Sequence, residues 1–146
     1  LQTNKAGSVV SYADVVQSVD RPKLVSALDR GAAGHGVRPG VLVQVSLDEP
    51  PDRGGVAPQG ADALADQVAG CEHLDLRGVM AVAPLGADPE VAFARLREVA
   101  HGIQAVHPHA TWISAGMSGD LEAAVAHGAT HLRVGSAILG SRQSHR

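Results

Sequence analysis

The sequence predicts an α/β domain in which parallel strands are joined by crossover helices. Short β-branched runs alternate along the chain with stretches whose apolar residues recur every 3.6 positions. The strand runs are apolar on both faces, as in sheets covered by helices. With 146 residues, 45% of them hydrophobic, the chain has enough material for a single ordinary core. One Trp, one Tyr and one Phe leave that core to small aliphatic side chains, which suits tight helix-on-sheet layers.

Five strand-helix units follow in order. The strands are expected at 14–19, 41–47, 76–82, 111–114 and 130–134. The first helix is expected at 20–30, closed by Gly31, and the second at about 60–69, closed by Gly70. Asp88-Pro89 opens the third, because aspartate suits the N-cap and proline the first turn. Its inward face is expected to carry Ala92, Leu96, Val99, Ile103 and Val106, with Pro108 stopping it. The fourth is expected to start at Ser118, with Asp120 and Glu122 in its first turn and Leu121, Ala124 and Val125 facing inward, and to end at Gly128. A short last helix follows Gly135-Ser136. Periodicity leaves two architectures open, a doubly wound sheet and part of a barrel. In either, the Pro- and Gly-rich stretch 48–59 is a loop on the ligand-binding side.

Composition excludes several functions. A net charge of −3, with 12 basic residues scattered, gives no basic stripe for nucleic acid. No run approaches the roughly 18 apolar residues of a membrane span. A lone cysteine, Cys71, makes no internal disulfide and reads as a half-buried thiol at a helix end, so a reducing cytoplasm is the expected compartment. Leu1-Gln2-Thr3-Asn4-Lys5 shows none of the basic-then-apolar pattern of a signal peptide. Leu1 in place of Met predicts that the chain begins inside a longer protein. No metal site emerges from the eight histidines. His107-Pro108-His109 reads as a solvated turn, and Asp62, Asp66, Glu90 and Glu98 fall on polar helix faces. No catalytic residue is named by spacing.

Two segments place small residues where a backbone must come close to something. Ser114-Ala115-Gly116-Met117-Ser118 joins a strand to a helix start, where free N–H groups suit a phosphate. Arg133-Val134-Gly135-Ser136 does the same on the next strand, and a phosphate held by the last two strand-helix loops recurs in (β/α)₈ barrels. Alternation points Arg133 and Val134 to opposite faces, so Arg133 is either a ligand contact at a barrel mouth or a surface arginine.

These residues resemble the YggS-type pyridoxal phosphate homeostasis family. Leu1-Gln2-Thr3-Asn4-Lys5 is similar to its L-Q-x-N-K, Val41 to Val45 to V-L-x-Q-V, and Gly78-Val79-Met80 to G-L-M. The segment from Ser114 to Asp120 resembles S-M-G-M-S-x-D, and that from Arg133 to Gly140 resembles R-x-G-[ST]-A-I-x-G. Ala115 replaces a usual methionine, Ser46 a common asparagine, and Arg53-Gly54 a Lys/His-Gly pair. None of these removes a backbone donor.

The resemblance implies a (β/α)₈ TIM-type barrel of the alanine racemase kind, of which residues 1–146 would be the last five units. It implies pyridoxal 5'-phosphate (PLP) as cofactor, held by Ser114, Gly116, Met117, Ser118, Gly135 and Ser136, with Arg133 approaching the pyridine nitrogen. It further implies a non-catalytic protein that buffers PLP or delivers it to PLP-dependent apo-enzymes. The family's cofactor-bearing lysine lies on the first barrel strand, upstream of this chain, and neither Lys5 nor Lys23 sits in that context. Five strands do not close a barrel, so the isolated piece is expected to be marginally stable or aggregation-prone. The alternatives are a racemase-like PLP enzyme, which would need a further β-domain, and a phosphosugar-type barrel enzyme.

Overall fold

The computed structural model describes residues 1–48 and 54–140. Thr3–Lys5 form a 3-10 turn and Ala6–Val9 a one-turn helix, α1, which periodicity did not announce. The order is then β1 (Val15–Val19), α2 (Pro22–His35), β2 (Gly40–Gln44), α3 (Ala61–Ala69), β3 (Asp75–Met80), α4 (Pro89–Val106), β4 (Trp112–Ser114), α5 (Leu121–Ala126) and α6 (Ser136–Leu139).

The four strands are parallel and lie in the order β1-β2-β3-β4. A doubly wound sheet reverses its strand order part-way; this one does not. All the longer helices pack on one face, where Val16, Val41, Val43, Leu76, Val79 and Ile113 meet Leu24, Leu28, Leu64, Val68, Phe93, Leu96 and Ile103 in one core. Leu42 and Met80 are also buried but lie outside that core. Strand alternation puts them on the opposite, concave face with Gln17, Gln44, Trp112 and Ser114.

Curvature settles the architecture. Flat, three inter-strand spacings of about 4.8 Å would hold β1 and β4 roughly 14 Å apart. Here the Ser114 hydroxyl on β4 donates to Oε1 of Gln17 on β1 at 2.6 Å. The sheet therefore curls until its outer strands face each other across a lumen, the geometry of an unclosed (β/α) barrel.

Several expectations are corrected. α2 does not end at Gly31 but runs to His35, and Gly36 closes it with φ 65°. Gly31 is a contact point rather than a stop, since a Cβ there would sit 3.0 Å from Gly7 Cα on α1. α5 begins at Leu121, not Ser118, because the Asp120 carboxylate accepts from the Met117 N–H at 2.6 Å and holds a turn ahead of the helix. Val106 and Val125, assigned to inward faces, are exposed; Phe93, Ala100 and Ala123 are buried instead. The expected fifth strand reduces to one bridge, His131 with Ser114, although Thr130 N–H donates to Ile113 O at 2.8 Å and keeps the segment alongside β4.

Other expectations hold. Asp88 Oδ1 accepts from the Glu90 N–H at 2.9 Å, capping α4 as its sequence indicates. The loop after β2 folds back on its strand, with Ser46 N–H donating to Val56 O and Gln44 Nε2 to Gly54 O, both at 2.8 Å. Arg53 and most of that loop's proline-rich part, 49–53, lie outside the described residues. No helix among the described residues is long and apolar enough to cross a membrane.

Candidate phosphate-binding site

The site is built where the last two strand-helix turns meet. β4 ends at Ser114, which is fully buried, and the chain turns at Gly116 with φ 91°. A Cβ at Gly116 would lie 2.6 Å from that of Ala124 and 3.0 Å from Leu132 Cδ2, so this turn is open to glycine alone. Its carbonyl accepts from the Arg133 N–H at 2.9 Å, which ties it to the segment carrying the second turn. Ser118 Oγ accepts from the Ala137 N–H at 3.1 Å and bridges the two directly. Residues 19 apart in sequence thus form one continuous surface.

Backbone donors line that surface. The N–H groups of Gly116, Ser118, Gly119, Gly135 and Ser136 find no acceptor among the described residues. The Met117 N–H is different, being committed to Asp120. Both following helices are short, six and four residues, so an anion held here would be attracted by the donors rather than by a helix dipole. At Gly135 a Cβ would meet nothing within 4 Å, which leaves open space over the second turn.

Arg133 faces the concave side. It is half-buried, and its guanidinium donates through Nη1 to Ser114 Oγ at 2.8 Å and through Nη2 to Ala81 O at 2.9 Å. Burial pulls its pKa below the usual arginine range, and the Asp120 carboxylate partly offsets this. It stays cationic at neutral pH. A cleft of about 320 Å³ runs between the loop from Val82 to Ala87 and the turn at Met117, Gly119 and Asp120. That is near the lower end of ligand pockets, roughly 300–1,000 Å³.

The match to known families decides what this surface belongs to. Residues 1–143 match the family model of the alanine racemase N-terminal domain. The pyridoxal phosphate homeostasis protein of Mycobacterium bovis is 46% identical over 98% of this chain, and that of Corynebacterium glutamicum is 42% identical over 97%. The chain belongs to the alanine racemase N-terminal domain family, in its YggS-type branch. It spans 59% of the Mycobacterium bovis protein's length and 67% of the Corynebacterium glutamicum protein's. PipY of Synechococcus elongatus, a YggS-type structure with PLP bound, superposes with a TM-score of 0.87 at 36% identity, covering 96% of this chain and 67% of PipY. The YggS-type relatives are named as homeostasis proteins rather than enzymes.

Within this YggS-type chain, sequence reasoning missed three features. Gln17 went unnoticed, although a polar residue among valines on an expected strand was the available signal. His107 lies in the helix-ending turn as expected, but it is also paired: its Nε2 lies 2.6 Å from Asp66 Oδ1 on α3. Likewise His127 Nε2 lies 2.8 Å from Glu90 Oε2 on α4. These pairs link successive helices on the outside of the barrel, and Glu90 lines one cleft with Ser118 and Gly119 of the first turn. Cys71 is half-buried as expected, with Sγ 3.3 Å from Gln67 O, and burial followed by the nearby Asp29 pushes its pKa up. No cluster of metal-ligating side chains occurs among the described residues.

Proposed function

We propose that this chain is the phosphate-holding part of a barrel that binds pyridoxal 5'-phosphate and serves cytoplasmic PLP homeostasis as a carrier rather than an enzyme. Residues 1–146 act in this reading as one partial barrel domain. The observation that carries it is the pair of bridged turns with five uncommitted backbone N–H groups beside a half-buried arginine. A phosphate dianion needs several convergent donors, and these turns supply them without a lysine.

Gly116, Ser118, Gly135 and Ser136 would hold the phosphate through their backbones, with Met117 shaping the turn. Ser114 is fully buried with its hydroxyl engaged at both ends, so it would act through Arg133. Arg133 would meet the pyridine nitrogen. When bound, PLP supplies an electron-withdrawing ring. A permanent guanidinium charge at its nitrogen disfavours ring protonation and weakens that withdrawal, which fits holding the cofactor better than turning over a substrate. The carrier would pass PLP to PLP-dependent apo-enzymes.

The test is a PLP titration of the full-length protein, followed by gel filtration and assay with candidate amino-acid substrates. Retention of near-stoichiometric PLP without racemisation or elimination is the expected result. Turnover would replace the carrier with a racemase-like enzyme. No retained PLP, with retention of a sugar phosphate, would favour the phosphosugar-type barrel.

A further inference from the structure

The concave face carries a polar relay that no turn motif contains. Arg133 Nη1 donates to Ser114 Oγ at 2.8 Å, and Ser114 Oγ donates to Gln17 Oε1 at 2.6 Å. The hydrogen inventory fixes its direction. Ser114 has one hydroxyl hydrogen, arginine accepts none, and Gln17 Oε1 lies 2.6 Å away, so that hydrogen goes to Gln17. This in turn requires the amide oxygen of Gln17, not its nitrogen, to face Ser114. With its hydrogen committed, Ser114 presents only lone pairs to Arg133.

We propose that Gln17 is a positioning residue: by orienting the Ser114 hydroxyl it sets the direction of the Arg133 guanidinium at the cofactor ring. The inference rests on the PLP reading for what Arg133 addresses, but not for the relay itself. Gln17 lies on β1 and Arg133 follows β4, so the relay spans the lumen of the curled sheet. Two of the five guanidinium N–H groups are engaged, by Ser114 Oγ and Ala81 O. These two anchors set the plane in which the remaining donors point. Asp120 is the carboxylate whose field reaches the group from the turn before α5. Without an acceptor at position 17 the Ser114 hydroxyl still accepts from Arg133, but nothing fixes where its own hydrogen points, so this anchor holds the guanidinium less firmly. The carbonyl of Ala81 is then the one firm anchor, and the guanidinium swings more freely.

Two readouts test this on the full-length protein. The first is NMR of the Arg133 side chain without PLP, comparing wild type with Gln17→Met, which removes the acceptor at similar length, and with Gln17→Glu, which retains one. Separate, slowly exchanging guanidinium resonances are expected in the wild type and in Gln17→Glu. In Gln17→Met their exchange is expected to be roughly tenfold faster, the effect of about 1.4 kcal/mol. The second is the absorbance of bound PLP. Gln17→Met is expected to shift the band and weaken retention about two- to tenfold, the worth of one hydrogen bond, and Gln17→Glu to restore both. If Gln17→Met does not fold, Ser114→Ala breaks the same relay and is expected to give the same changes. Arg133 resonances indifferent to the acceptor would overturn the positioning role, whatever happens with PLP. Wild-type protein that fails to retain PLP, with resonances that still depend on Gln17, would overturn the cofactor reading and leave the relay standing.

Discussion

The two faces of the sheet are made to different rules. On the convex face Val41, Val43, Leu24, Leu96 and Ile103 are buried without a polar atom among their side chains, and helices cover them. On the concave face, Gln17, Ser114 and Arg133 bond across open space between strands far apart in sequence. The first face holds the strands in place; the second uses that placement. A sheet with only the first would be stable and inert. A relay like the second has no fixed geometry unless the convex core sets the curl that brings β1 to β4.

Substitutions separate the faces, and the largest effect belongs to the convex one. Leu96→Ala, at a fully buried position, is expected to cost about 2–5 kcal/mol in urea unfolding of the full-length protein. The PLP absorbance band of whatever remains folded should not move. On the concave face, Arg133→Met is expected to leave stability nearly unchanged and to weaken PLP retention roughly 10- to 100-fold, the loss of hydrogen bonds from a charged donor. Its band position should change, which equilibrium dialysis and absorbance together would detect. Gly116→Ala sits where the faces meet. Strain at φ 91° and the collision with Ala124 are expected to cost about 1–3 kcal/mol, with inorganic phosphate binding falling in parallel.

Smaller effects lie outside both faces. Asp66→Asn removes the carboxylate charge opposite His107 at an exposed pair, leaving an amide oxygen that can still accept, and is expected to cost less than about 1 kcal/mol, with PLP retention unaffected. Cys71 should react slowly with iodoacetamide at pH 8. Its raised pKa lowers the thiolate fraction there, and the rate should keep climbing at pH values where a model thiol has levelled off. Rapid alkylation at pH 8 would show that burial does not protect it.

Local signals made much of the convex face legible in the sequence. Asp88-Pro89 marks the start of α4, and Ala92, Leu96 and Ile103 mark its buried stripe. The element order followed from the alternation of periods. Errors arose where one residue serves a distant partner. Gly31 reads as a helix stop because Gly usually ends helices, but its role is contact with Gly7, which no local window shows. The 130–134 segment has the composition of a strand, yet it bridges β4 at His131 alone.

The concave face was only half legible. Gly116, Ser118, Gly135 and Ser136 are visible as turns, because a backbone donor site needs small residues wherever it occurs. Their mutual contact was not, since Ser118 and Ala137 meet through tertiary packing. The partner of Gln17 was invisible for a stronger reason. Ser114 lies 97 positions away, and only the curl of the sheet makes them neighbours.

The most direct test of the account compares PLP with pyridoxal, which lacks the phosphate, by equilibrium dialysis against the full-length protein. A phosphate held by the five uncommitted donors would make PLP bind at least roughly 100-fold tighter, about 2.7 kcal/mol in favour of the phosphate. Equal affinity for the two would contradict a phosphate site at the paired turns.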